Sequence, residues 1–132
     1  MTDAANIEML KSRFCKASSF PRYRRSLAAR LLADILCEDA IAEYGGGHPL
    51  CRVEIIRFAV RHVHERFLTM TSEIGPGSIR VTGDEAEGCW ASCVRTYDPQ
   101  TRNLLSRSGR FTDRFIKTDG IWKLARIHWE EK

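Results

Sequence analysis

The strongest constraint on the fold of this chain is a hairpin signal close to its C-terminal end. Residues 109–131 read as two strands of alternating side chains joined by a turn at Asp119-Gly120. An Asp-Gly pair favours a tight hairpin because both turn positions tolerate positive φ. Alternate residues of a strand share a face, so the sequence predicts that one side of this hairpin faces the interior of the fold.

The predicted interior face combines apolar side chains with three polar ones. Its members are Phe111, Asp113, Phe115, Trp122, Leu124, Arg126 and His128. A buried charge needs a partner, so we expect Asp113 and Arg126 to pair across the hairpin. Two interpretations stay open at this point. Such a face lines a pocket, or it forms a core that contains one satisfied ion pair.

The remaining pattern is typical of a single α+β domain spanning 1–132. Apolar spacings predict helices over 3–17 and 22–36, a strand over 40–44, a third helix from about Leu50, and then strands over 68–80, 87–97, 103–117 and 121–131. Consecutive hairpins favour a mainly antiparallel sheet with the helices gathered on one face. A chain of 132 residues is long enough for one domain with a substantial core.

The opposite face of the predicted sheet is also partly apolar. Its apolar members are Cys89, Ala91, Cys93, Leu104, Ile121, Ala125, Ile127 and Trp129. An antiparallel sheet that turns one face to water should be polar on that face. Since the helices cover only the other face, we expect a partner surface here, and the simplest partner is a second copy in a homodimer.

Composition excludes several classes of partner. The net charge of +4 is mild and the arginines are spread along the chain, which argues against a nucleic-acid surface. No apolar run approaches the roughly 20 residues of a membrane span, and the first residues lack the pattern of a secretory signal. We therefore expect a cytoplasmic protein that binds neither nucleic acid nor membrane.

Cysteine, histidine and glycine patterns predict no metal and no cofactor. The five cysteines are odd in number and lack a Cys-x-x-Cys motif, which indicates free thiols acting as small apolar side chains. The four histidines are scattered without ligand spacing. The run Gly45-Gly46-Gly47 is followed by His48-Pro49 rather than by the Gly-Lys-Ser/Thr of a phosphate-binding loop, so it reads as a turn.

The element order and three motifs resemble the SnoaL-like branch of the nuclear transport factor 2-like superfamily over nearly the whole chain. The motifs are Gly83-Asp84-x-Ala86 leading to Trp90, Gly109-x-Phe111-x-Asp113-x-Phe115, and Asp119-Gly120-x-Trp122-x-Leu124-x-Arg126. The resemblance implies a cone-shaped barrel in which a curved, mainly antiparallel sheet wraps around three N-terminal helices and encloses a pocket. It also implies dimerisation through the outer face of the sheet.

The chain departs from the resemblance where chemistry is concerned. The dehydratase-like members carry a Tyr and an Asp near the end of the first helix and a His on the strand after the third helix. The corresponding positions here are Phe14, Ser18 or Ser19, and the segment 69–71. General acid–base catalysis requires a titratable group within reach of the moving proton, and the usual Tyr/Asp/His set is absent from these positions.

The catalytic candidates that remain are Asp113, Arg126 and His128. Arg126 would stabilise an oxyanion, because a guanidinium stays charged at any working pH. His128 would move the proton, since an unperturbed imidazole titrates near pH 6.5. Asp113 would fix Arg126 or orient the imidazole. The alternative is a structural ion pair and a partly exposed histidine. The remaining predicted pocket-lining residues are Phe14, Tyr23, Tyr44, Trp90, Ser92, Phe111, Phe115, Trp122 and Leu124.

Two classes of function fit this sequence. The first is a cofactor-independent lyase, isomerase, cyclase or hydrolase that acts on a small apolar oxygenated molecule such as a polyketide, terpenoid, steroid or aromatic. The second is a non-catalytic module for ligand binding or assembly, similar to the small subunit of a ring-hydroxylating dioxygenase. Polar groups that converge in a closed cavity would favour the enzyme.

Overall fold

A computed structural model of the chain describes residues 2–20, 24–65 and 69–132, and for residues 61–65 and 69–71 it describes the backbone only. The elements are α1 (Asp3–Ser18), α2 (Arg25–Ile35), β1 (Leu36–Tyr44), β2 (Leu50–Cys51), α3 (Arg52–Glu65), β3 (Thr69–Ile74), β4 (Ser78–Thr82), β5 (Glu85–Asp98), β6 (Asn103–Thr118) and β7 (Ile121–Glu131). None of the helices described is long and apolar enough to cross a membrane.

Helix α1 crosses the concave side of the sheet. Its first turn is capped by Thr2, whose hydroxyl accepts a hydrogen bond from the backbone N–H of Ala5 at 3.2 Å. Ile7, Leu10 and Phe14 follow one another at three- and four-residue spacing, and all three are buried. The helix therefore presents a continuous apolar stripe to the sheet, as its sequence predicts.

One mixed sheet forms the wall of the fold. Its strand order is β2-β1-β7-β6-β5-β3, and β4 also pairs with β5. The pairing of β1 with β7 is parallel, whereas the other pairs are antiparallel. The segment predicted as one strand over 68–80 is two strands, β3 and β4, which both pair with β5 on either side of Gly75-Pro76-Gly77. The predicted α+β cone is confirmed, with the three helices of the described residues against an open, mainly antiparallel sheet.

The core lies between the helices and the concave face of the sheet. Its largest members from the sheet are Trp90, Phe111, Phe115, Trp122 and Leu124, all buried. Their inward orientation is as predicted. The turn is also as predicted, because Asp119 and Gly120 both have positive φ, at 53° and 78°.

A β-bulge in β7 reverses the faces of this strand beyond Ala125. Phe115 pairs with Leu124 and Arg114 pairs with Arg126, so Ala125 is an extra residue with no partner of its own. One extra residue moves every following side chain to the other face. Accordingly Ile127 is buried and the Arg126 side chain is 54% exposed.

The bulge overturns two predictions about faces. Arg126 and His128 were expected on the inner face with Trp122 and Leu124, and that expectation is wrong. Ile127 and Trp129 were expected on the outer face, but Ile127 belongs to the core and Trp129 packs against it.

Candidate functional site

A cavity of about 230 Å³ lies between α1, β1, α3 and the inner face of the sheet. The described residues that line it are mainly apolar or hydroxyl-bearing: Phe14, Cys15, Ser18, Tyr44, Phe58, Ala59, Ser72, Val94, Thr96, Arg107, Phe111 and Trp129. A dry apolar cavity of about 150 Å³ is enough to bind benzene. The volume therefore suits a compound with one ring and a short substituent.

Two polar groups of the cavity are held in their protonated forms. Burial raises the pKa of the Tyr44 phenol well above its ordinary value, and the nearby carboxylate of Asp113 adds to the effect. Burial likewise raises the pKa of the Cys15 thiol, although Lys11 and Ser72 partly oppose the shift. Near neutral pH both groups are uncharged hydrogen-bond donors. Tyr44 is also fixed in place, because its ring stacks on that of Phe58 at 5.4 Å between centroids.

Directly behind the cavity wall is a buried ion pair. Lys11 Nζ lies 2.7 Å from Asp113 Oδ2, and both side chains have no exposed surface. The ammonium also lies 3.3 Å from the centroid of the Phe111 ring and 5.0 Å from that of Phe14, and both rings line the cavity. Because no other described residue accepts a hydrogen bond from this ammonium, the contact is an ion pair in an aromatic surrounding.

Desolvation dominates the electrostatics of this pair. Burial raises the pKa of the Asp113 carboxyl above its ordinary value, against the opposing attraction of Lys11. Arg126 was the expected partner of Asp113, and its actual partner is Lys11. A signal for it was available, because Lys11 follows Ile7 by four residues and precedes Phe14 by three, which places it on the inward stripe of α1.

The predicted catalytic residues do not meet. Arg126 Nη2 lies 2.6 Å from Glu43 Oε1. His128 Nε2 lies 2.9 Å from Glu130 Oε1, and His128 Nδ1 lies 3.7 Å from Glu43 Oε2. Neither Arg126 nor His128 lines the cavity, so the expected pairing of Asp113 with Arg126 is wrong. The bulge explains this outcome, because it turns both side chains to the outer surface while Asp113 stays inside.

The cluster on that outer surface has a clear electrostatic organisation. The hydrogen bond and the positive charge of Arg126, with a smaller contribution from the neighbouring His128, hold the pKa of the Glu43 carboxyl below its ordinary value. Since Glu43 remains ionised, it links β1 to β7 through both basic partners. The pattern is that of exposed ion pairs between neighbouring strands.

Only some of the predicted pocket-lining residues line the cavity. Phe14, Tyr44 and Phe111 line the cavity, as expected. Trp90, Phe115, Trp122 and Leu124 are buried in the core instead. Ser92 is buried and accepts a hydrogen bond from Trp129 Nε1 at 3.0 Å, and Tyr23 lies outside the described residues.

The order of side chains along β6 explains why part of that prediction is wrong. The inward positions run from Arg107 through Gly109, Phe111 and Asp113 to Phe115. Arg107 and Phe111 line the cavity, whereas the next inward residue, Asp113, does not line it and pairs with Lys11. Phe115 follows Asp113 on the same side of the strand and belongs to the core.

Among the described side chains, those of residues 2–20, 24–60 and 72–132, no group of three or more His, Cys, Asp or Glu is placed to hold a metal ion. The polar chemistry that the described cavity offers is therefore that of hydroxyls, a thiol and a guanidinium.

Several solved structures share this fold at low sequence identity. One is a single-substitution variant of Rv3472, a protein of unknown function from Mycobacterium tuberculosis. Its TM-score is 0.80 at 23% identity, and the match covers 98% of this chain and 72% of the Rv3472 chain. The hexachlorocyclohexane dehydrochlorinase LinA-type3 from Novosphingobium barchaimii has a TM-score of 0.82 and 15% identity, covering 98% and 86%. An NTF2-like protein with a cystatin-like fold from Novosphingobium aromaticivorans has a TM-score of 0.76 and 20% identity, covering 98% and 81%.

The sequence comparison gives the family. No curated protein sequence matches this chain. The SnoaL-like domain matches residues 1–128, which is nearly the full length, and the resemblance in the closing motifs agrees with that match. The chain belongs to the SnoaL-like domain family, within the NTF2-like fold.

Proposed function

We propose that this protein is a cofactor-independent lyase or isomerase that acts on a small, largely apolar, oxygenated molecule. The observation that carries the proposal is the composition of the cavity. Its lining is mainly apolar and includes the phenol of Tyr44 and the thiol of Cys15, which both stay protonated. The family and the fold shared with a dehydrochlorinase support the same class of chemistry.

The chemistry assigned to Tyr44 is stabilisation of negative charge on a ligand oxygen. When a proton leaves the carbon beside a carbonyl group, the electron pair of the broken C–H bond forms a C=C bond and the π pair of the carbonyl moves onto its oxygen. A fixed hydrogen-bond donor stabilises this oxyanion more than the neutral carbonyl, and so lowers the barrier. The raised pKa of Tyr44 keeps its proton in place for that purpose, and the stacking on Phe58 holds the ring.

Asp113 is the proton acceptor that we assign. A general base works best when its pKa lies near the working pH, and burial raises the pKa of this carboxyl in that direction. Asp113 is fully buried, so the step requires a local movement that exposes its carboxylate to the cavity. The proton then returns to a second carbon in an isomerisation, or a neighbouring leaving group departs with its bonding electrons as the double bond forms.

Hydrogen–deuterium exchange at carbon tests this proposal without knowledge of the natural substrate. A single-ring ketone such as phenylacetone is incubated with the protein in deuterated buffer, and loss of the proton beside the carbonyl is followed by NMR. We expect exchange above the buffer rate in the absence of any cofactor. Tyr44→Phe should slow it by about 10²-fold, the usual cost of one lost oxyanion donor.

A matched control separates the hydroxyl from general effects of the substitution. Tyr97→Phe removes a phenol at the end of β5, where the side chain is 41% exposed, and should leave exchange unchanged. Exchange at the buffer rate in the wild-type protein, with the ketone bound, would refute the catalytic proposal.

The second candidate is a non-catalytic binding module, and the same two raised pKa values favour it. A phenol and a thiol that remain protonated donate hydrogen bonds readily but do not abstract protons. Under this alternative the cavity selects oxygenated ligands without transforming them, and binding without exchange is the expected result.

A further inference from the structure

The rim of the cavity carries a charge that the proposed chemistry does not use. Arg107 lines the cavity from β6, and its side chain is 66% exposed. It is the one charged side chain among the described residues of the lining. Its ion-pair partner is Glu131, whose carboxylate lies 3.4 Å from Arg107 Nε and is itself half exposed.

The position of this guanidinium relative to the apolar wall is set by the strand. Arg107 and Phe111 are both on the inward side of β6, four residues and therefore about 13 Å apart along the strand. Between them is Gly109, and a Cβ at this glycine would lie only 2.4 Å from the Trp129 ring. The Trp129 ring thus covers the strand between the apolar interior and the charged rim.

We infer that the cavity takes a small apolar carboxylic acid, held by its carboxylate at Arg107. The apolar body of the ligand lies against Phe14, Phe111 and Trp129. This inference rests on the proposed function, because it names the chemical class of the molecule that occupies the same cavity.

The chemistry of the two ends supports this class of ligand. A guanidinium is charged at every working pH and presents a planar set of donors that matches a carboxylate. Glu131 already places a carboxylate beside it, which shows that the geometry accepts one. An exposed ion pair contributes little to stability, so a ligand carboxylate can replace Glu131 at small cost.

Matched acid and amide probes test the inference. Phenylacetate and 2-phenylacetamide share the ring and differ in the charge at one end, and both are titrated into the protein at pH 7.5 by calorimetry or ligand-observed NMR. We expect the acid to bind about tenfold more tightly than the amide, the scale of one charge-assisted hydrogen-bonding contact.

Three variants locate the contact. Arg107→Gln should abolish the preference for the acid and leave amide binding unchanged. Arg110→Gln is the control, because Arg110 is exposed three residues further along β6, on its opposite face. Glu131→Gln should tighten acid binding, since it removes the competing carboxylate.

The outcomes separate this inference from the proposed function. If acid and amide bind equally, or if the acid preference survives Arg107→Gln, the inference is overturned while the proposed function stands. If neither probe binds at millimolar concentration, the proposed function fails as well.

Discussion

Replacement of Lys11 by methionine is expected to destabilise the protein strongly. Methionine keeps the length of the side chain and removes only the ammonium. The change leaves the carboxylate of Asp113, which has no exposed surface, without the cation that lies 2.7 Å away. Loss of one partner from a buried ion pair costs about 3–5 kcal/mol of unfolding free energy. That is a large part of the roughly 5–15 kcal/mol available to a typical domain.

The pH dependence of this deficit follows from the sign of the pKa shift. Burial raises the folded-state pKa of Asp113 above the ordinary 3.8, and Lys11 opposes the shift. A raised pKa means that the folded state binds the proton more tightly than the unfolded chain does. The contribution of Asp113 to stability is therefore greatest at low pH and is lost as the pH rises through the folded pKa. Lys11→Met raises that pKa further. The loss of unfolding free energy that the substitution causes should therefore shrink as the pH falls towards 3.8.

Denaturant melts of four proteins measure the effect. Wild type, Lys11→Met, Lys16→Met and the double variant Lys11→Met/Asp113→Val are compared at pH 7.5 and pH 5. Lys16 is exposed on α1, so its replacement should change stability by less than about 0.5 kcal/mol. The double variant should recover most of the loss, because an apolar pair of similar volume often replaces a buried ion pair without cost.

Two results would refute the reasoning about the pair. A cost of less than about 1 kcal/mol for Lys11→Met at pH 7.5 would mean that Asp113 is not an unpaired buried anion in the variant. A loss of stability that grows on acidification would mean that Lys11→Met lowers the folded-state pKa of Asp113 instead of raising it.

Three further outcomes are expected. Trp122→Ala should cost about 3–5 kcal/mol in a denaturant melt, since the ring is buried in the core; a loss under 1 kcal/mol would contradict its placement. Gly109→Ala should destabilise and weaken ligand binding, because the new Cβ would lie 2.4 Å from the Trp129 ring; wild-type melting and binding would argue against that contact. We still propose a homodimer through the outer sheet face, where Leu104 and Ile121 are 66% and 59% exposed, and a monomer in light scattering at micromolar concentration would reject it.

The turn of the last hairpin and the inward face of β6 were predicted correctly from local sequence rules. The turn followed from Asp119-Gly120, and the inward face of β6 followed from uninterrupted alternation, in which Phe111, Asp113 and Phe115 share one side. Both features depend on neighbours in sequence, which is the information that a single sequence carries best.

The part of β7 that follows the bulge could not be predicted from such rules. In β7 apolar residues occur on both parities, so periodicity alone does not show that Ala125 is a bulge. The bulge breaks one ladder position and places Ile127 inside, where it is buried. Lys11 presents a similar difficulty, since a lysine on an apolar stripe is usually exposed, and only the three-dimensional structure shows the carboxylate of Asp113 beside it.

We expect ligands to enter the cavity lined by Phe14, Tyr44 and Phe111. A crystal structure of the protein with phenylacetone bound would test this expectation. The ring should lie against Phe14 and Phe111, with the carbonyl oxygen within hydrogen-bond distance of the Tyr44 hydroxyl. A ligand found on the outer surface beside Arg126 and His128, with the cavity empty, would contradict it.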